Sequence, residues 1–305
     1  MAGDRSAFAD TIRVQFVATI LFVALLLPSF RVEARAQVSV RDTAGGWVGQ
    51  RIIMLQGMGA VHVADTSDVT RTRVGINLVM PVRRVSGREV WIVSTSGGDS
   101  GWVDIGSVRL LNGAIAHFDT LVARDPRDWD AYLRRAEAEH ALNVRDASTA
   151  DFSKAIALHP SEAFLYLRRG RHYNTLKECA KEIEDFDRAV ALAPTSARQD
   201  YNLVAEVHSL AAGVYFACPD TTFRDYSRGL ALAKRAVDED SSRATLVTIL
   251  AAAYAQSGDL TNAVKTQRRA LARPDFPPGY RDEAERELAR YISEAGQRPP
   301  DVTLA

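Results

Sequence analysis

The chain contains one ten-residue phrase twice, and this repetition constrains its fold more than any other feature. DFSKAIALHP occupies residues 151–160 and DFDRAVALAP occupies residues 185–194, so six of the ten letters are identical in two segments that lie thirty-four positions apart. Upstream, YLRRA at 132–136 and YLRRG at 166–170 keep the same separation. Self-similarity at a fixed period of this length is typical of arrays in which each copy buries its apolar face against the next copy. The sequence therefore predicts a stack of similar units.

Each copy has the same internal spacing: a large residue, a small residue three positions later and a proline five positions after that. Two copies show all three residues, Phe152–Ala155–Pro160 and Phe186–Ala189–Pro194. This order predicts a packing knob, a point of close approach and a helix stop. In the preceding segment, Tyr166, Gly170 and Tyr173 fall on one helical face, and Gly170 is expected to let a neighbouring helix approach.

The period of the repeat, together with this spacing, resembles the tetratricopeptide repeat, a helix-turn-helix unit. The resemblance extends to a fourth copy at 249–271, but the interval from Ala189 to Ala236 exceeds the period, which leaves thirteen extra residues in the third copy. We expect these in YFACPDTTFRDYS (215–227), between the two helices of that copy. The amphipathic segment that starts at Tyr280 should cap the stack, so we predict an all-α solenoid over 113–297 and a tail over 298–305.

Residues 37–112 have a different pattern, with short β-type runs separated by Gly and Asp from Arg51 onward, and they predict a small antiparallel barrel or sandwich. The segment at 90–111, VWIVSTSGGDSGWVDIGSVRLL, resembles the end of bacterial Src-homology-3-like domains. In such domains an exposed aromatic surface often binds peptides or cell-wall material. We expect Trp91 and Trp102 to be structural, and Trp47, which precedes the first strand, to be the candidate surface residue.

Residues 1–36 have the layout of a secretory signal. An apolar run at 14–30 follows Arg5 and Arg13, and the small residues of Ala34-Arg35-Ala36 suit a signal peptidase. The alternative is an uncleaved membrane anchor, because a run of this length lies at the lower limit for spanning a bilayer. Either interpretation predicts export. A signal, a β module and repeats in this order resemble a group of exported bacterial tetratricopeptide proteins.

Composition and missing motifs narrow the function. The 38 Lys and Arg residues balance 38 Asp and Glu residues, so no basic field attracts nucleic acid. The six His residues show no metal-ligand spacing, and no phosphate-binding or serine-hydrolase motif occurs, so we expect a non-enzymatic protein without a cofactor. We expect Cys179 and Cys218 to be buried core residues, and a disulfide between them is the alternative.

The sequence thus predicts an α+β multidomain protein, a small all-β barrel followed by a tetratricopeptide solenoid. Tetratricopeptide proteins generally bind an extended peptide or partner helix on their concave face, so we expect a protein-interaction scaffold of the bacterial envelope. In such a repeat, the positions one and four residues after the small residue of the first of the two helices face the concave side. In the first two copies these positions hold four candidate groove residues, Glu137, His140, Arg171 and Asn174. The alternative function is an accessory factor that recruits cell-wall enzymes through a wall- or peptide-binding β module.

The signal layout generates a direct test. We expect the mature protein to begin at Gln37, since cleavage would follow Ala36. The intact mass of the protein recovered from the envelope of an exporting bacterium measures this. A mature chain that keeps residues 14–30 would instead establish the anchor.

Overall fold

The computed structural model describes residues 46–55, 60–62, 71–73, 79–93, 100–193, 203–274 and 276–297. The predicted signal or anchor and the predicted tail lie outside these residues. No helix within the described ranges is long and apolar enough to cross a bilayer. The sheet and the helices belong to one compact unit that begins at Thr43.

The N-terminal strands form one antiparallel sheet in the order β3-β2-β6-β5-β4-β1-β7. The strands are β1 Arg51–Met54, β2 Ala60–His62, β3 Arg71–Arg73, β4 Val79–Ser86, β5 Glu89–Val93, β6 Ser100–Asp104 and β7 Val108–Leu110. A closed barrel needs its two edge strands to pair. In the described part of the chain, β3 and β7 do not pair, so the sheet is open and the predicted barrel is not supported.

The two faces of the sheet pack against different parts of the protein. One face carries its own small core, formed by Ile52, Met54, Met80, Val82, Val90, Ile92, Val103 and Val108. Because side chains alternate along a strand, Ile53 points the other way, and there it joins the core of the helices together with half-buried Val79. The second face at β1 and β4 is therefore covered by helices and does not curl round to close a barrel.

In the described part of the chain, ten helices follow the sheet. They are α1 Ala114–Arg124, α2 Trp129–Ala141, α3 Arg145–Leu158, α4 Ala163–Leu176, α5 Cys179–Leu192, α6 Leu203–Ala217, α7 Tyr226–Glu239, α8 Ala244–Gln256, α9 Leu260–Leu271 and α10 Pro278–Gln297. Helices α2 to α9 pack as four consecutive pairs, which we call units 1 to 4. Helix α1 precedes unit 1, and α10 follows unit 4 as the predicted cap. Asn143, Lys177 and Gly258 adopt left-handed backbone in the equivalent turns of units 1, 2 and 4.

The predicted packing roles of the repeat are confirmed. Phe118, Phe152 and Phe186, which follow one another at the repeat period, are buried, and so are Ala155 and Ala189. Gly170 gives the close approach: a Cβ atom placed there would lie 2.9 Å from Cε1 of Phe186. A separation this short is not tolerated, so any larger residue would push α4 and α5 apart.

The thirteen extra residues of unit 3 lie in two places, which corrects the single site predicted. Tyr173, Tyr215 and Tyr254 each stand three residues after a small residue of a first helix. The interval from Tyr173 to Tyr215 exceeds the repeat period by eight positions, and the interval from Tyr215 to Tyr254 exceeds it by five. Eight extra residues therefore precede this point of α6, and five lie in the turn before α7. The interval from Ala189 to Ala236 in the sequence reveals only the total number of extra residues and not where they lie.

Cys179 and Cys218 form a disulfide, so the expectation of two unlinked core cysteines is wrong. Their Cα atoms are 6.0 Å apart, at the start of α5 and directly after α6. The packing of α6 against α5 brings together two residues that are 39 positions apart in the chain. That spacing has no short-range motif, and for this reason the sequence did not favour the bond.

The contact between Gly170 and Phe186 gives a stability prediction. We expect Phe186→Ala to lower the free energy of unfolding by about 3–5 kcal/mol, because it leaves a cavity between α4 and α5. Gly170→Ala should be destabilising in the native chain and much less so in the Phe186→Ala background, because the ring that it meets is gone. Urea unfolding of the four proteins measures both effects. Additive losses would show that the ring and the glycine do not touch.

Candidate functional site

The first helices of units 1 and 2 hold the four predicted groove residues, but Glu137 is not free for a ligand. Its side chain is 3% exposed, and both of its carboxylate oxygens accept hydrogen bonds from the guanidinium of Arg168 in α4. A carboxylate buried this deeply is stable only with a charged partner, and Arg168 supplies it. Glu137 therefore links α2 to α4 and does not present a free carboxylate to a ligand.

His140 also makes a contact between units. Its Nδ1 lies 2.9 Å from Nδ1 of His172, and Nε2 of His172 lies 2.8 Å from the hydroxyl of Thr149. Because two Nδ1 atoms share this hydrogen bond, one ring donates and the other accepts through an unprotonated nitrogen. Burial lowers the pKa of both histidines, and each is lowered further by positive charge nearby, Arg168 and Arg171 for His140 and the His140 ring itself for His172. Glu137 opposes this shift in both rings.

Arg171 differs from its charged neighbours on this surface in having no ion partner within the described chain. It is half-buried in α4, and among the described residues it makes neither a hydrogen bond nor a salt bridge. Burial lowers its pKa, the guanidinium of Arg168 lowers it further, and the carboxylates of Glu137 and Glu206 raise it. Both of those carboxylates are bound elsewhere, Glu137 to Arg168 and Glu206 to Arg243. Arg171 is a partly desolvated cation between two occupied ion pairs.

Asn174 is exposed one turn further along α4, and its amide nitrogen is occupied. It donates to Oε1 of Glu182 at 2.7 Å, within the same unit. Glu182 is buried, which raises the pKa of its carboxyl, and the hydrogen bond from Asn174 opposes this shift. Asn174 thus stabilises a buried acid, and its carbonyl oxygen is the part that is left for a ligand.

Several residues that the sequence did not single out complete this surface. Arg168 and His172 join the first helices of units 1 and 2 through the contacts above, and Glu206 of unit 3 pairs at 3.0 Å with Arg243, the residue directly before the first helix of unit 4. Arg168 is the repeat equivalent of Arg134, so its recurrence at the repeat period was a usable signal. No sequence signal pointed to its partner Glu137, because that acid lies on a different helix.

A second set of arginines shows what a purely structural charge looks like in this fold. Arg135 binds Asp151 and Asp119. Arg169, its repeat equivalent, binds Asp185 and Ser153, which are the repeat equivalents of those two acids. Each of these arginines joins its own unit to the helix that precedes that unit, α1 for Arg135 and α3 for Arg169. The contrast identifies Arg171 as an arginine whose charge the described stack does not use.

Trp47, Trp91 and Trp102 of the sheet region are all half-buried. Trp47 is half-buried and packs against the core of the sheet. Trp91 and Trp102 meet edge to face with ring centroids 5.3 Å apart, and the guanidinium of Arg84 lies 5.2 Å from the centre of the Trp91 ring. Neither of these two rings belongs to a core cluster of the described residues, and both are half-buried, as Trp47 is.

The described residues hold no group of three or more His, Cys, Asp or Glu side chains arranged to bind a metal ion.

The histidine pair predicts a pH dependence. Their pKa values in the folded chain lie below the ordinary 6.5, so the unfolded chain takes up protons first as the pH falls. The stability that the neutral pair contributes is present above pH 6.5 and is lost on acidification. We expect the difference in unfolding free energy between the native chain and His140→Gln/His172→Gln to shrink between about pH 7.5 and about pH 5.

Urea unfolding at the two pH values measures that difference. Glu139 is present in both proteins, so its opposite contribution to the pH dependence cancels in the comparison. Burial raises the pKa of the Glu139 carboxyl to about 7, so its effect favours the folded chain at low pH. A difference that stays constant with pH would show that folding does not lower the pKa values of the two rings.

A family model of the tetratricopeptide repeat matches residues 110–147 and 222–279. No curated protein matches the sequence of the chain. Among solved structures, PilW, described as a widely conserved type IV pilus biogenesis factor, is similar with a TM-score of 0.50 and 19% identity over 61% of this chain and 80% of its own.

YrrB, described as a tetratricopeptide protein with an unusual peptide-binding site, has a TM-score of 0.46 and 16% identity over 59% of this chain and 84% of its own. MamA from Desulfovibrio magneticus RS-1 has a TM-score of 0.44 and 16% identity over 58% of this chain and 86% of its own. At these identities, the likeness to PilW shows the fold alone. The matched family model, the period of the sequence and the observed helix pairs agree: the helices of this chain form tetratricopeptide repeats.

Proposed function

We propose that this protein is a non-enzymatic scaffold that binds an extended peptide or a helix of a partner protein along the first helices of its repeats. One observation carries the proposal: Arg171 is a partly desolvated guanidinium without an ion partner among the described residues, on a surface where the neighbouring charges are paired. Burying a charge without compensation is costly. A ligand that brings a carboxylate would remove that cost.

The chemistry of Arg171 suits an anionic ligand group. A guanidinium presents donors in a planar fork that matches the two oxygens of a carboxylate. Because part of the side chain is already out of water, a ligand that covers it has less desolvation still to complete. A charge-assisted pair of this kind contributes about 1.5–3 kcal/mol.

Export and location in the cell envelope are part of the same proposal. The layout of residues 1–36 as a signal or anchor and the small-residue motif before Gln37 support export. The disulfide between Cys179 and Cys218 supports it independently, because disulfides persist in oxidising compartments and are rare in a reducing cytosol. We propose that residues 37–112 are the β module and residues 113–297 the solenoid of an exported protein.

A second candidate function has its own observation. Trp91, Trp102 and Arg84 form an aromatic and cationic surface on the sheet, the combination that would stack on a peptide or on a sugar ring of the cell wall. The protein would then be an accessory factor that holds a wall enzyme through its repeats and contacts the wall through its sheet. Loss of cell-wall sedimentation in Trp91→Ala/Trp102→Ala, with Trp47→Phe unaffected, would support this candidate.

The leading proposal is tested at Arg171. We expect Arg171→Ala to weaken partner recovery roughly 10- to 100-fold, because it removes a charge-assisted pair. It should leave the thermal melt unchanged or slightly higher, because it removes a desolvated charge close to Arg168. Recovery is measured by crosslinking in the native host, affinity purification and quantitative mass spectrometry.

Two further variants serve as controls. Arg269→Ala removes a matched, exposed arginine from α9 and should not change recovery. Asn174→Ala should lower stability by about 1 kcal/mol, because buried Glu182 then loses its donor. Undiminished recovery with Arg171→Ala would place the binding site elsewhere, on the sheet or on the second helices.

A further inference from the structure

The surface formed by the first helices changes character halfway along the stack. Units 1 and 2 place Glu137, His140, Arg171 and Asn174 at the groove positions, and we call these residues the polar half. The same positions in units 3 and 4 carry Gly213, Phe216, Ala252 and Ala255, which we call the apolar half. From this division we infer that the groove takes an amphipathic segment of a partner protein, with a carboxylate over unit 2 and an uncharged, apolar stretch over units 3 and 4.

The assignment of these positions rests on a contact that recurs between units. In unit 2, Asn174 of the first helix reaches Glu182 of the second helix. In unit 3, Phe216 stands in the place of Asn174, and Gly229 stands in the place of Glu182. A Cβ atom at Gly229 would lie 2.7 Å from the Phe216 ring. The same pair of positions therefore touches in both units, and the register across the long insertion is fixed.

The apolar half has room for ligand side chains. A Cβ atom at Gly213 would meet no other atom within 4 Å, so α6 exposes its backbone there to open space. Ala252 and Ala255 are half-buried methyl groups on α8, and Phe216 is half-buried with its ring stacked on Tyr226. Phe216 and Ala255 pack in part against the core of the helices, so it is the uncovered part of these methyl and ring carbons that favours burial by apolar groups, and the small residues let a partner chain approach closely.

The charges along the groove further restrict which partner segments can bind. Arg171 is the cation that the polar half offers, whereas the nearby carboxylates of Glu137 and Glu206 are both paired. A basic segment would meet like charge at Arg171. A segment charged throughout would place ions over the apolar half, where these four residues supply no partner, and such burial is unfavourable. An acidic residue followed or preceded by an apolar block is the pattern that both halves accept.

This inference rests on the proposed function, and the experiment separates the two. A random twelve-residue peptide library is selected on the full chain, purified from an exporting host, and bound sequences are compared with the unselected library. We expect bound peptides to be enriched in Asp or Glu together with a contiguous run of apolar residues. On Arg171→Ala, the enrichment in acidic residues should disappear while the apolar preference stays.

Two substitutions address the apolar half. Gly213→Leu fills the open space and is compatible with a helix, and Ala252→Glu introduces a charge. Each should weaken binding of the selected peptides by about 10-fold or more, the effect of losing one buried apolar contact or of burying an unpaired charge. Gly296→Leu, at an exposed glycine near the end of α10 with equally open surroundings, is the matched control and should bind normally. Circular dichroism melts confirm that each variant is folded.

The outcomes are distinct. Peptides that depend on Arg171 but show no apolar run, or that bind Gly213→Leu and Ala252→Glu as well as the native chain, overturn the amphipathic groove and leave the proposed function standing. Bound peptides that are insensitive to all three groove variants overturn both the inference and the proposed function.

Discussion

The structure depends on the buried guanidinium of Arg134, which joins the sheet to the helices. Its side chain is 2% exposed, and its Nη1 donates to the carbonyl oxygen of Met54 in β1 at 2.7 Å, while Asp130 balances its charge. The equivalent arginine one unit later, Arg168, binds Glu137 of the preceding first helix. Unit 1 has no such helix before it, so the strand supplies the acceptor. With Ile53 inserted in the helical core, the sheet takes the place of a missing unit and covers the open end of the stack.

The pairing of charges between helices also explains how the surface of the first helices can be stable and still bind a ligand. The charges around Arg171 are committed to neighbours: Arg135 and Arg169 bind acids of adjacent second helices, Glu137 and Arg168 join first helices, and the histidines share a hydrogen bond. These contacts recur with the repeat and hold successive units in register. A cation left out of the network does not contribute to holding the stack and is unfavourable where it lies. Such a residue is the natural point for a ligand to act.

The sequence predicts interactions between residues that are close in the chain better than interactions between separate helices. The knobs Phe152 and Phe186 and the close approach at Gly170 were predictable, because helix packing within a repeat is set by spacings of three and four residues. The partner of Glu137, the disulfide of Cys179 and the division of the insertion were not, because each depends on how separate helices are placed. The sequence pattern selected Arg171 and Asn174 as first-helix positions. Only the side-chain contacts of the structure show that the amide of Asn174 is occupied and that Arg171 has no partner among the described residues. The open sheet was missed because strand patterns do not reveal which strands will lie at the edges of the sheet and whether those edges pair.

The disulfide has a consequence for how the stack comes apart. In a linear array each unit is stabilised by its own folding and by coupling to its nearest neighbours, so the weakest interface decides whether the array behaves as one body or as two. Helices α5 and α6 meet at the border between units 2 and 3. The bond from Cys179 to Cys218 spans this border and, by the entropy of a loop of about 40 residues, contributes about 4 kcal/mol. Oxidation thus couples the polar half and the apolar half of the groove through a covalent bond between units 2 and 3, whereas reduction leaves that border held by helix packing alone.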